Sequence, residues 1–325
     1  MIDKEELKFN EKIIEQLKNE YGIRFRRKQK RKFLEYAQTK FKDMGYMTHL
    51  QEKSRINKHV VGNQNLVIGD IENANVIMCA HYDTPPRAIH KIEIIHGIRK
   101  SIWSKIKKYI LILVFILILT SIFILILSIM LYLLNCLSLI DFIPITAYIV
   151  ACLMTLGVSN KKNLNDNTSG VMTIFKIADE LKELNNSKVA FVLFDNEEWG
   201  LIGSKIFANQ NENINNKLFI NFDCVGVGDN ILILCDNYSI EEAKKIGENK
   251  QCSKEKNILV QEADLSKADS DERRFKNRIR FAAFHRNEDG ELYIENIHTK
   301  KDNELDIDNI SVIASIIKEY ISKNN

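Results

Sequence analysis

Two histidines and five carboxylates, spread from residue 81 to residue 298, can be combined into one hydrolytic metal site: His81, Asp83, Asp166, Glu197, Glu198, Asp223 and His298. Two zinc ions close together need nitrogen and carboxylate ligands, one carboxylate able to bridge, and open positions for water. His81, Asp166, Glu198, Asp223 and His298 supply one bridge and two terminal ligands for each metal. Asp83 lies two residues from His81, placed to accept the second imidazole N–H and fix the ring's tautomer. Glu197 adjoins Glu198. Neighbouring carboxylates in a turn diverge, so one can face the metal while the other serves the attacking water as general base.

Each of these signals has a bland reading. A lone His-x-Asp is usually structural, a Glu-Glu pair is usually a solvated turn, and an Asp after a strand is commonly a helix cap. What distinguishes this set is where the elements place it. Residues 5–45 read as helices, and 65–69 and 75–80 as short strands. Helices follow at 169–184, 202–209, 239–250 and 307–322, interleaved with strands at 188–194, 218–222, 231–235 and 279–284. Strands alternating with helices predict an α/β fold, a largely parallel central sheet flanked by helices in a three-layer sandwich. The acids and histidines fall just past strands, and the carboxyl ends of strands are where open α/β sheets bind ligands.

Between the two halves of this set lies an apolar stretch, residues 109–158, whose sole charged residue is Asp141. A hydrocarbon core roughly 30 Å thick needs about 20 helical residues, so spans are expected at about 109–134 and 139–158. Residues 135–138 would form the connection, with Pro144 in the first turn of the second span. The competing reading is a buried helical hairpin of a soluble protein, but the run shows no polar face. A site shared by His81 and Asp166 requires an even number of spans. Arg99, Lys100, Lys105, Lys107 and Lys108 precede the first span and Lys161 and Lys162 follow the second, which places both ends in the cytoplasm. The expected organisation is a catalytic domain of residues 1–100 and 159–325, with an N-terminal helical part to residue 45. A transmembrane hairpin, 101–158, is inserted into it. The protein would be a multi-pass component of the cell membrane with its catalytic domain cytoplasmic.

Composition agrees. The first residues show no apolar stretch of a secretory signal, and the six cysteines are scattered as buried thiols of a reducing compartment would be. A formal net charge of +3 on 325 residues argues against nucleic acid as a partner. The basic run 24–32 reads either as contact with anionic lipid or as a solvated helix face. The lipid bilayer is thus one partner, and a membrane-protein partner or self-association is left open.

The chain resembles peptidase family M28, the co-catalytic zinc exopeptidases. The residues that carry the likeness are Ala80-His81-Tyr82-Asp83, Asn165-Asp166-Asn167-Thr168-Ser169-Gly170 and the stretch from Phe194 through Glu197-Glu198-Trp199-Gly200 to Ser204. Asn221-Phe222-Asp223 and Ile297-His298-Thr299 with Asp302 complete it. The resemblance implies two Zn2+ per chain. His81 and Asp223 would hold one and Glu198 and His298 the other, with Asp166 bridging, Glu197 as general base and Asp83 supporting His81. It also implies a cis peptide after Asp166. Ser270 and Asp271 resemble a segment near the substrate pocket, although Glu272 and Arg273-Arg274 depart from its usual continuation. Glutaminyl cyclases share the fold but generally keep one zinc and lack the full ligand set. The expectation is a membrane-anchored two-zinc aminopeptidase acting on peptides. The rivals are a carboxypeptidase or acyl-amino-acid hydrolase, and a catalytically idle membrane scaffold.

Overall fold

The computed structural model describes residues 13–57, 60–88, 93–95, 120, 122–127, 129–130, 132, 159–184, 188–248 and 256–324. The chain divides into two compact units, one of residues 1–96 and 160–325, the other of residues 97–159. In the second unit the described residues between 120 and 132 are helical, and Phe123, Ile126 and Met130 are more than half exposed. Among the described residues no helix is long and apolar enough to cross a membrane. The expected spans at 109–134 and 139–158 fall almost wholly outside the described residues.

The first unit is built on one ten-stranded sheet. Its elements in chain order are α1 (Arg27–Asp43), β1 (Thr48–Asn57), β2 (Val60–Ile68), β3 (Val76–His81), β4 (Glu93–Ile95), α2 (Gly170–Leu181), β5 (Val189–Phe194), α3 (Ile202–Gln210), β6 (Leu218–Phe222), β7 (Asn230–Cys235), α4 (Ile240–Glu248), β8 (Asn257–Glu262), β9 (Asn277–Arg286), β10 (Leu292–Glu295) and α5 (Ile307–Lys323). The strand order is β1-β2-β5-β3-β6-β9-β10-β4, with β7 pairing β9 and β8.

The sheet is mixed, which corrects the expectation of a largely parallel one. Pairing is parallel through β5-β3-β6-β9 and between β7 and β8. It is antiparallel for β1–β2, β2–β5, β7–β9, β9–β10 and β10–β4. Connection length explains part of the division. Parallel neighbours need a crossover, which α4 provides between β7 and β8, whereas short turns return the chain antiparallel from β1 to β2 and from β9 to β10. The strands that the sequence pattern misses are β1, β4, β8 and β10. β1 is rich in charged and polar residues, and β8 is mostly exposed.

Alternate side chains of the central strands supply two cores. Val76, Met78 and Ala80 of β3 face α1, α2 and α5 through Phe33, Phe41, Phe175 and Ile317. Ile77 and Cys79 face Phe207 of α3 and Phe275. The result is the sandwich of helices about a sheet that strand–helix alternation implies. The described cysteines, Cys79, Cys224 and Cys235, are free and buried.

The basic run 24–32 divides in two. Arg26, Arg27, Lys28, Arg31 and Lys32 are exposed, but Arg24 and Lys30 are buried. The Arg24 guanidinium donates to the carbonyl oxygens of Tyr82 and Tyr21 and to Thr168 Oγ1, so it ties the entry to α1 to the end of β3 and the start of α2. Hydrogen bonds from a charged donor contribute about 1.5–3 kcal/mol each, and leaving buried acceptors bare costs more. Arg24→Ala is therefore expected to lower the unfolding free energy by about 3 kcal/mol or more in urea titrations. Arg27→Ala, on the exposed side, is expected to stay within about 0.5 kcal/mol. Equally small effects at the two positions would return Arg24 to the surface.

Candidate metal centre

Parallel register brings the site together. His81, the last residue of β3, pairs with Phe194 at the end of β5, and Cys79 pairs with Asn221 near the end of β6. The chain leaving β5 therefore delivers Glu197 and Glu198 next to His81, and the chain leaving β6 delivers Asp223. Asp166 arrives on the irregular turn 164–169 that opens α2, where it and Asn167 have non-helical backbone angles and are joined by a cis peptide. Gly170 is required at the start of α2. A Cβ there would lie 2.2 Å from the Phe222 carbonyl oxygen and 2.5 Å from Asn167 Oδ1. That close approach sets the Asp166 turn against the end of β6.

Asp166 lies between the two imidazoles. Its Oδ1 is 3.2 Å from His81 Nε2 and its Oδ2 is 2.9 Å from His298 Nε2. Glu198 Oε1 stands 3.4 Å from His298 Nε2, and Asp223 Oδ1 stands 3.9 Å from His81 Nε2. All five sequence-predicted ligands thus converge, with Asp166 central, Asp223 on the His81 side and Glu198 on the His298 side. His298 reaches the cluster from the turn after β10 with φ of 60°, a left-handed conformation that Asn196 and Cys224 also adopt beside the site. Such conformations are uncommon for residues other than glycine and tend to gather at functional sites.

Asp83 does more than the sequence pattern assigns. Its backbone carbonyl oxygen lies 3.2 Å from His81 Nδ1 and its Oδ1 lies 3.5 Å away, so main chain and carboxylate together orient the imidazole. The same carboxylate accepts from Glu197 N at 3.0 Å and Glu198 N at 3.4 Å. One side chain therefore fixes both the first histidine and the Glu-Glu turn. That turn is closed by Gly203 N donating to the Asp195 carbonyl, and Lys30 anchors it by donating to Asp195 Oδ1 at 2.7 Å and Asn196 Oδ1 at 2.8 Å. Asp302 plays the equivalent part for Asp166, accepting from Asn165 N at 2.7 Å and Asp166 N at 3.2 Å.

Ser270 and Asp271 are both buried. Ser270 Oγ donates to Asp223 Oδ2 at 2.6 Å, so it supports a candidate ligand. Burial pushes the Asp271 carboxyl up to about 7, against the pull of His81. Three residues stand out that the sequence pattern did not mark: Lys30, Cys224 and Arg280. Cys224 Sγ lies within 4.8 Å of carboxylate oxygens of Asp166 and Asp223, and burial pushes its thiol well up. Arg280 Nη2 donates to Asp223 Oδ2 at 3.1 Å. The first lies in a run that reads as surface charge and the last inside a strand, so neither carries a local signal.

The electrostatics fit a metal cation. Burial disfavours a charged imidazole, yet Glu197, Asp166, Asp223 and Asp83 outweigh it and hold His81 well above its usual pKa. Burial likewise raises Asp166, but His298 and His81 prevail and hold it well below the usual carboxylate range. So many carboxylates gathered out of water demand positive charge between them. Ligand atoms of His81, Asp166 and Glu198 lie within 4.8 Å of one another, which suits a single ion.

The fold is shared with solved structures of low sequence identity. Porphyromonas gingivalis glutaminyl cyclase aligns over 98% of this chain and 96% of its own, at 13% identity and a TM-score of 0.61. A leucine aminopeptidase precursor from Bacteroides thetaiotaomicron aligns over 96% and 94%, at 16% identity and a TM-score of 0.58. A Zn-dependent exopeptidase from Parabacteroides distasonis aligns over 96% of each chain, at 15% identity and a TM-score of 0.59. Among curated proteins none matches the sequence. Residues 155–320, just over half of the chain, match the family model of peptidase family M28, and the chain belongs to that family.

Proposed function

We propose that this protein is a two-zinc aminopeptidase that hydrolyses N-terminal peptide bonds at the cytoplasmic face of a membrane. The observation that carries the reading is the Asp166 carboxylate, one oxygen toward His81 and the other toward His298, with a further acid beside each imidazole. In this reading His81 and Asp223 would hold one zinc and Glu198 and His298 the other, with Asp166 shared between the two pairs. Zinc bound there would supply Lewis acidity toward the scissile carbonyl and the attacking water.

Glu197 is the group that moves the proton. Burial pushes its carboxyl well up, His81 pulls it back, and Glu198, Asp271 and Asp223 add to the rise. A carboxylate with heightened proton affinity can take a proton from the attacking water and return it to the leaving amine. Asp83 holds Glu197 in place through its backbone N–H and keeps the His81 Nδ1 proton engaged, leaving Nε2 for the metal. The full set of five ligands favours the two-metal hydrolase over a one-zinc cyclase.

Membrane attachment rests on the apolar stretch 109–158 and on the exposure of the described helical residues Ile122, Phe123, Ile126, Ile129 and Met130, each more than 40% exposed. Asn160 N donates to the Pro85 carbonyl at 3.2 Å, so after the insert the chain returns to the unit that precedes it. That return supports an even number of crossings, and basic residues on both flanks support a cytoplasmic site.

Two experiments test these proposals. A panel of aminoacyl, acylated, C-terminal and N-terminal glutaminyl peptide substrates is assayed in detergent, with zinc quantified in the same sample. Glu197→Gln is expected to lower turnover of the N-terminal substrates by about 10²–10⁴-fold with zinc content unchanged. Retained turnover would remove Glu197 from the mechanism, and turnover of glutaminyl peptides alone would replace the peptidase by a cyclase. Alkaline carbonate extraction of cells is expected to leave the full chain in the membrane pellet and to release a variant with 101–158 replaced by a short loop. Release of the full chain would rule out the anchor.

A further inference from the structure

Trp199 follows Glu198 directly and is 53% exposed, a large apolar side chain left open at the end of the Glu-Glu turn. Its ring lies beside that of Phe25, with centroids 6.1 Å apart. Phe25 in turn stands between buried Arg24 and the exposed run Arg26, Arg27 and Lys28 that opens α1. Phe25, Arg27 and Trp199 together line one recess of about 340 Å³, which buried Lys30 and Asp195 also line. The aromatic pair and the start of α1 therefore form one continuous patch on the first unit.

Positive charge is in excess there. Arg26, Arg27, Lys28, Arg31 and Lys32 are exposed. Against them stand Glu35, 3.6 Å from Arg31, and Glu52, which lines the recess and accepts from Gln64 Nε2. The other acids nearby are engaged inward: Glu198 stands on His298, and Asp195 is held by Lys30. Lys32 lies over the Tyr21 ring. Among the described residues Arg26, Arg27 and Lys28 pair with no acid. A solvated helix face would account for these charges but gives no reason for an open tryptophan among them. Tryptophan beside unpaired arginine and lysine suits the headgroup layer of an anionic bilayer, where the ring sits at the interface and the cations meet lipid phosphates and carboxylates.

We propose that Phe25, Trp199 and the basic start of α1 dock on an anionic lipid surface, so that the turn carrying Glu197 and Glu198 lies at that surface. This rests on the membrane reading of the chain. Residues 109–158 would keep the chain near a bilayer, and the patch selects which face of the first unit meets it. Lys30 gives docking a route to the catalytic turn. It leaves the same helix and donates to Asp195 Oδ1 and Asn196 Oδ1, immediately before Glu197. Each basic side chain brought to an anionic surface favours the docked state about fivefold, so the three unpaired ones favour it on the order of 100-fold.

Full-length W103F, in which Trp199 is the sole tryptophan, is reconstituted into vesicles of phosphatidylcholine alone or of phosphatidylcholine with phosphatidylserine, all with brominated acyl chains. Trp199 fluorescence is expected to be quenched in the anionic vesicles and spared in the neutral ones. Raising salt from about 0.1 M to 1 M shortens the Debye length from about 10 Å to 3 Å and is expected to remove most of the quenching. R26E/R27E/K28E is expected to lower it to the level in neutral vesicles, while K244E/K245E, on exposed α4, is expected to leave it unchanged. Should the triple variant not fold, the salt series carries the test. Equal quenching in both vesicles, or quenching that ignores salt and the triple variant alike, would overturn the role of the basic residues. No quenching in either, the result expected of a solvated helix face or of a soluble acidic partner, would overturn the docking itself. A carbonate wash of the same vesicles follows the fluorescence reading and keeps the two readings apart. A chain that washes off overturns the anchor, whereas the quenching already recorded judges the docking by itself.

Discussion

One carboxylate between two imidazoles organises this structure. Asp166 cannot lie between His81 and His298 unless the turn before α2, the end of β3 and the turn after β10 meet at one point. Each of those segments is held by something outside the cluster. Asp302 grips the backbone of Asn165 and Asp166, Asn167 reaches the Phe222 carbonyl, and Gly170 lets α2 settle against β6. The cost of gathering so many acids out of water is repulsion among them. The two histidines offset part of it, and in the proposed reading a bound metal cation would offset the rest.

Support behind the cluster is as specific as the cluster. Asp83 couples His81 to the backbone of Glu197 and Glu198, so a proposed ligand and the proposed base share one anchor. Lys30 and Asp195 stiffen the same turn from below, and Arg24 ties Tyr82 to Thr168 across the base of the site. Buried cations that bind carbonyls and carboxylates are poor contributors to raw stability but hold a geometry that apolar packing alone would leave loose.

His81, Glu198 and Asp223 were legible because each ends or follows a recognisable strand, where an α/β sheet presents side chains to a ligand; Asp166 opens a helix and His298 follows the unmarked β10, so the family resemblance is what singled those two out. Asp83 was legible for one of its roles only, because its grip on Glu197 and Glu198 crosses more than a hundred residues of sequence. Arg24 and Lys30 were hidden in a basic run whose exposed members look the same in sequence. Arg280 was hidden for a different reason: alternation in β9 marks which face a residue takes, and says nothing about the charge waiting there. The sheet was read as largely parallel because helical crossovers leave a strong pattern, while polar β1, exposed β8 and the short β10 leave little. The membrane reading stands on residues 109–158, most of which lie outside the described residues, and on the bond from Asn160, just after the insert, to Pro85 of the unit that precedes it.

The most direct measurement is anomalous X-ray scattering at the zinc edge from crystals of the zinc-saturated full chain. The expected result is two peaks flanking Asp166, one against His81 and Asp223 and the other against Glu198 and His298. A single peak, or a second one that Asp166 does not touch, would contradict the bridged two-zinc site on which the proposed chemistry depends.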